Sequence, residues 1–133
     1  MAASDVYKRQ DVSRVKETRS EKSYTIRFKI DNPISEQEAV ESIGTLSGVT
    51  LEQETPKRVS HRRAAKTRKR KVSSISNVLV EEDEVQFSLR CEAGTYVKEL
   101  VHSDEGRTSP SVSSVIEREC VVLWLDVDEI HSD

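Results

Sequence analysis

Two stretches of strict apolar alternation limit this chain to a sheet with one covered face. Tyr24, Ile26, Phe28 and Ile30 alternate with Thr25, Arg27 and Lys29, and Val85, Phe87, Leu89 and Cys91 repeat the pattern. A period of two puts each apolar set on one side of an extended strand. Asn32-Pro33 ends the first strand. Ser35 with Glu38 then forms a capping box, and Ala39, Val40, Ile43 and Leu46 recur at helical spacing up to Gly48, which predicts a helix of about three turns.

Between these segments, Val49 and Leu51 predict a short strand, Thr55-Pro56 a break, and residues 58–61 an extended piece leading to a strand over 66–75. The acidic run Glu81-Glu82-Asp83 separates Val78-Leu79-Val80 from the second alternating strand, so residues 66–91 predict an antiparallel hairpin with an acidic turn. A helix over 95–103 and a turn of helix over 111–116 follow. Residues 119–130 are apolar on both faces, with Val121, Leu123, Leu125 and Val127 against Val122 and Trp124, which predicts a central strand. The fold class is α+β, a mixed, mostly antiparallel sheet with two helices on one side.

Charge is distributed unevenly. Residues 57–71 hold nine Lys or Arg and no acid, while the rest of the chain has 12 basic against 24 acidic residues, a net of −12. A phosphate backbone selects such a cluster because neutralising phosphates releases counterions. Without that ligand the same run is a solvated strand face. No apolar run is long enough to cross a bilayer, and the expected location is cytoplasmic. Cys91 and Cys120 lack the spacing of a zinc site and read as reduced core residues.

The segment CEAGTYVKELVHSDEGRTSPSV at 91–112 carries the most chemistry. Gly94-Thr95 ends a strand and starts a helix, with Thr95 free to cap it and Tyr96 and Lys98 in the first turn. Val97, Leu100 and Val101 form an apolar stripe, so the first turn faces the strand ends and its polar groups line a cleft. On spacing alone this is a capped surface helix with a half-buried tyrosine and a solvated lysine. Beside a basic loop, the same ring and amine suit a flipped RNA base.

The string AGTYVKELVHSDEGRTSPSV resembles the C-terminal signature of the archaeal and eukaryotic tRNA pseudouridine synthases that modify the T-loop, written GTYIKE or GLYIKE followed by GDxGRTxPSV. EKSYTIRF at 21–28 resembles that family's lysine-x-tyrosine strand, and QETPKRVSHRRAAKTRKRKV at 53–72 resembles its TPxRVxHRR segment. Together the three cover roughly residues 17–130. The resemblance implies a tRNA substrate, isomerisation of uridine to pseudouridine, and no metal or other cofactor.

Carried over residue by residue, the resemblance makes Tyr24 the ring that stacks on the target base and Lys98 the partner of the catalytic aspartate. Val97, Leu125 and Tyr96 become substrate-pocket residues, and Arg58, His61, Arg62, Arg63, Arg68, Arg70 and Arg107 become RNA contacts. Tyr24 and Leu125 read equally as buried core. The family's nucleophilic aspartate lies in a Gly-Arg-x-Asp segment upstream of the tyrosine strand, and nothing here matches it; Asp104 matches a different aspartate, that of GDxGRT.

Residues 11–133 are therefore expected to be the C-terminal portion of a catalytic domain, with the nucleophile in a missing N-terminal part of the same protein. Residues 1–10, MAASDVYKRQ, resemble translated adapter sequence and are set aside as a non-native tail. A sheet cut in this way exposes an apolar edge. The alternative is a noncatalytic RNA-binding module in which Tyr24 and Tyr96 stack bases over the basic run.

Overall fold

The computed structural model describes residues 20–131; the tail at 1–10 lies outside them. The elements run β1 (Lys22–Ile30), α1 (Glu36–Gly44), β2 (Thr50–Glu54), a 3-10 turn (Lys57–Val59), β3 (Thr67–Glu81), β4 (Glu84–Cys91), α2 (Val97–His102), β5 (Thr108–Ser109), α3 (Val112–Ile116) and β6 (Cys120–Ile130). One six-stranded sheet has the order β5-β2-β3-β4-β1-β6, antiparallel at every described pairing. The α+β expectation holds, and the turn of helix expected at 111–116 is a third short helix.

The two alternating strands lie side by side, with Tyr24 opposite Leu89, Ile26 opposite Phe87 and Phe28 opposite Val85. Phe28 and Phe87 meet edge to face with centroids 6.1 Å apart, and both are fully buried. Ala39 and Ile43 of α1, Leu100 and Val101 of α2, and Val112 and Ile116 of α3 close over the same apolar face. One covered sheet face thus makes the core.

The acidic hairpin forms as expected, with Glu81 opposite Glu84. Glu82 takes the left-handed conformation in the two-residue turn. β3 is longer than expected because it has two partners in succession, β2 through Thr67–Lys71 and β4 from Val72 onward. Only half of the expected capping box forms at the start of α1: the Ser35 Oγ accepts the Glu38 amide at 3.1 Å, while the Glu38 carboxylate accepts from Arg118 Nη1 at 3.2 Å. The helix ends at Gly44, and Leu46 stays buried in turns that run to Gly48.

Three expectations are corrected. Residues 58–61 are not extended: Lys57–Val59 make a 3-10 turn, and the amides of both Arg62 and Arg63 donate to the Val59 carbonyl. Thr95 does not cap α2, because its Oγ1 donates instead to the Glu92 carbonyl at 2.6 Å. β6 is an edge strand, not a central one, with Val121 and Ile130 both more than 60% exposed. Apolar residues on both its faces reflect an edge with little covering it among the described residues.

Candidate functional site

Tyr24 sits near the start of β1, between Leu89 of β4 and Val127 of β6. In the β1–β6 pairing the register shifts between Ser23 and Tyr24, with Asp128 the extra residue on β6. The ring is 8% exposed, and the exposed part lines a cleft of about 520 Å³. Burial pushes its phenol above the ordinary value, with a smaller contribution from Cys91, so the hydroxyl keeps its proton at neutral pH.

The cleft's other walls are basic. Lys22 comes from β1, Arg68 and Arg70 from alternate positions of β3, and Arg63 and Lys66 from the loop before β3. Gly94, Thr95 and Tyr96 close it from the β4–α2 connection, where Gly94 at φ +85° makes a turn that a side chain would strain. Among the described residues, no carboxylate lines this cleft.

Tyr96 occupies the residue before α2, which has no side-chain cap. Its backbone is held by Gln53, a fully buried side chain on β2. The Gln53 Oε1 accepts the Tyr96 amide at 2.9 Å, and the Gln53 Nε2 donates to the Tyr96 carbonyl at 2.9 Å and to Thr108 Oγ1 at 3.2 Å. One carboxamide therefore does for Tyr96 what a neighbouring strand would do.

A second clamp joins α2 to the basic loop. Glu99 is buried, and its carboxylate accepts from Arg58 Nε at 2.7 Å and Nη2 at 3.2 Å, while the Arg58 guanidinium lies 5.9 Å from the Tyr96 ring centroid. Glu99 also lies 4.0 Å from His102 Nε2. Asp104 fixes the other end of the turn by accepting the Lys57 amide at 2.9 Å, and Arg107 Nη1 donates to the Asp104 carbonyl at 3.0 Å.

Of the sequence-predicted residues, the structure brings Tyr24, Tyr96, Arg63, Arg68 and Arg70 into one cleft. Arg58 and Arg62 line a neighbouring cavity with Arg63 and Tyr96. Arg107 lines a third cavity, of about 560 Å³, which also contains Glu54 and is the less suitable for a polyanion. His61 is exposed on the turn. Lys98 is exposed on the first turn of α2 with no carboxylate partner among the described residues. Val97 is buried in the core, and Leu125 lies half-buried opposite Ile26; neither lines the cleft.

Four contributors escaped the sequence reading. Lys22 and Lys66 line the cleft, and Gln53 and Glu99 position it. Lys22 shares the parity of Tyr24, and Gln53 shares that of the buried Leu51, so a polar residue at an inward strand position was the available signal.

The model of the family described as the C-terminal part of Pus10 matches residues 3–131. A tRNA pseudouridine synthase Pus10 of Methanocaldococcus jannaschii is 37% identical over 125 residues, which are 94% of this chain and 28% of the relative. The tRNA pseudouridine synthase Pus10 of Homo sapiens is 32% identical over 126 residues, 94% of this chain and 24% of the relative. The chain thus spans about a quarter of the length of the curated relatives it matches. Among solved structures, a chain of a Cbf5-Nop10-Gar1 complex aligns with a TM-score of 0.67 at 23% identity, covering 90% of this chain and 34% of that one. A chain of an H/ACA RNP bound to a substrate RNA containing 2'-deoxyuridine aligns at 0.61 and 19%, covering 90% of this chain and 32% of that one. At those identities the likeness concerns the fold alone. The clefted α+β sheet, the ordered motifs and a match running nearly the length of the sequence lead to one conclusion: this chain belongs to the Pus10 family and corresponds to its C-terminal part.

Proposed function

We propose that this chain is the uridine-holding portion of a tRNA pseudouridine synthase that isomerises a T-loop uridine in the cytoplasm. The observation that carries this reading is the cleft in which, among the described residues, Tyr24 and Tyr96 meet five cations and no acid. Pseudouridine synthesis detaches uracil from its ribose, turns it over and rejoins it through carbon, so the base must leave the stack and be held while free. Tyr24 supplies the flat neutral surface for uracil. The cations draw in the flanking phosphates.

Lys98 keeps a catalytic carboxylate ionised and in place, and that carboxylate is contributed by the upstream portion of the same protein. Val97 and Leu125 shape the apolar side of the pocket once that portion is joined. None of these roles requires a metal or another cofactor. No group of His, Cys, Asp and Glu that would hold a metal ion occurs among the described residues. No helix among them is long and apolar enough to cross a membrane.

The acid-free cleft also favours a second reading, a noncatalytic module that stacks single-stranded bases on Tyr24 and Tyr96. The parent reading frame separates the two, since a Gly-Arg-x-Asp segment upstream supports the synthase and an unrelated domain supports the module. For the shared step, a fluorescent T-loop stem-loop titrated with the chain should bind with an affinity that falls steeply with salt, by roughly 0.7 to 0.9 log units per phosphate neutralised. Tyr24→Ala should weaken binding of the uridine-containing loop. Salt-independent binding, or binding unchanged by Tyr24→Ala, contradicts this reading.

A further inference from the structure

The cleft has a neighbour of different chemistry. A cavity of about 480 Å³ is walled by Arg58, Val59, Arg62, Arg63 and Tyr96, and it shares only Arg63 and Tyr96 with the cleft that contains Tyr24. The two therefore meet at Tyr96, and what enters one adjoins what enters the other.

Among the described residues, three guanidinium groups and no carboxylate line this second cavity. The turn that carries them is built, not loose. Val59 is buried, its carbonyl accepts the amides of Arg62 at 2.9 Å and Arg63 at 3.1 Å, and Glu99 grips Arg58 through two of its five donors. Arg58 keeps its remaining N–H groups, with half of its side chain exposed. Among the described residues, Arg62 and Arg63 pair with no acid at all.

The Arg58 guanidinium lies over the Tyr96 ring, so on this side the aromatic surface is already covered by a cation. A base seeking a stacking partner is turned away there. A tetrahedral anion is not, because forked N–H donors match phosphate oxygens two at a time.

We propose that this cavity is a phosphate subsite that takes one backbone phosphate of the RNA strand, adjacent to the nucleotide whose base enters the Tyr24 cleft. It rests on the RNA-binding part of the function proposed above and assigns that function a register: base on one side of Tyr96, neighbouring phosphate on the other cavity's arginines. Glu99 acts through Arg58 as the positioning residue.

The test is a coupling experiment on the chain itself. T-loop stem-loops are made with a single uncharged methylphosphonate at each linkage around the target uridine, and their affinity for wild type and for Arg62→Ala is read by fluorescence anisotropy. Arg62 is exposed on the turn, and circular dichroism checks that the variant keeps its fold. One linkage beside the uridine should cost wild type about tenfold in affinity, and the same linkage should cost Arg62→Ala twofold or less, the signature of a direct pair. Equal small losses at every linkage, or an Arg62→Ala variant as sensitive as wild type, overturn the subsite.

An abasic loop separates this result from the base-binding reading. If wild type distinguishes uridine from an abasic site no better than Tyr24→Ala does but the coupling persists, the subsite stands and the uridine pocket is wrong. If Tyr24 distinguishes them and the coupling is missing, the subsite alone falls. If the chain binds none of these RNAs, both fall.

Discussion

The side chain of Gln53 satisfies both backbone polar groups of Tyr96, accepting its N–H and donating to its C=O at 2.9 Å each. A fully buried carboxamide on β2 thus fixes the residue that precedes α2 and, through it, the placement of Lys98 two positions later. A helix without a side-chain cap needs its entering backbone held by something else, and here that partner comes from the sheet.

Replacing Gln53 with Leu should therefore expose the cost of an unsatisfied buried backbone pair. The expected loss is about 1 to 3 kcal/mol, read from urea unfolding midpoints. RNA affinity should fall with it, because Tyr96 lines the cleft. A loss below about 0.5 kcal/mol would show that water or a shifted chain replaces the clamp at little cost.

Glu99→Gln removes the charge that holds Arg58. The carboxylate is buried but the guanidinium is half exposed, so solvent already weakens the pair and a loss of about 1 to 2 kcal/mol is expected rather than the larger cost of breaking a fully buried one. Thermal melts of the variant check this. Unchanged melting would mean that Glu99 contributes no more than a surface pair.

How much of this was legible in the sequence differs from element to element. Tyr24 to Ile30 and Val85 to Cys91 announced themselves because a one-sided core imposes alternation on each strand, and the two do pair. β6 misled because apolar residues on both faces look alike whether a strand is central or is an edge awaiting cover. The 3-10 turn at Lys57–Val59 was missed for another reason: what fixes it is the long-range grip of Glu99 and Asp104, which no local propensity encodes. In the site, local motifs identified Tyr24, Tyr96 and the arginines, while Gln53 and Glu99 work by contacts 43 and 41 residues away in sequence.

Alkaline pH should destabilise the fold. Burial pushes the Cys91 thiol up to about 11 and the Cys120 thiol up to about 12 from an ordinary 9.0, and it raises the Tyr24 phenol as well. The unfolded chain therefore releases these protons first, so their contribution is intact below about pH 9 and is lost progressively as pH rises toward the folded values. Glu21 acts at the opposite end. Hydrogen bonds from Ser73 and Arg90 lower its pKa, so its contribution is present above the ordinary 4.5 and is lost as pH falls. Urea unfolding across the range checks both limbs; stability that is flat from about pH 8 to pH 10.5 contradicts the thiol account.

The β6 edge carries Val121, Leu123, Trp124, Val127 and Ile130 on its exposed surface. If the upstream portion of the protein normally covers this edge, the chain alone should self-associate with rising concentration, and Val127→Lys should reduce that association. Sedimentation velocity measures it, and Trp124, the single tryptophan, should be open to acrylamide quenching. A monodisperse, cooperatively melting monomer at every concentration would argue against a missing partner portion.

The central claim is that this chain holds uridine but does not itself attack it. Release of tritium from tRNA labelled at uridine C5 measures that chemistry directly. The chain alone should release none above background, whereas the same chain joined to an upstream segment bearing the Gly-Arg-x-Asp aspartate should release it and lose that activity on Lys98→Met. Release by the chain alone, or full activity of the joined protein without Lys98, would contradict the account.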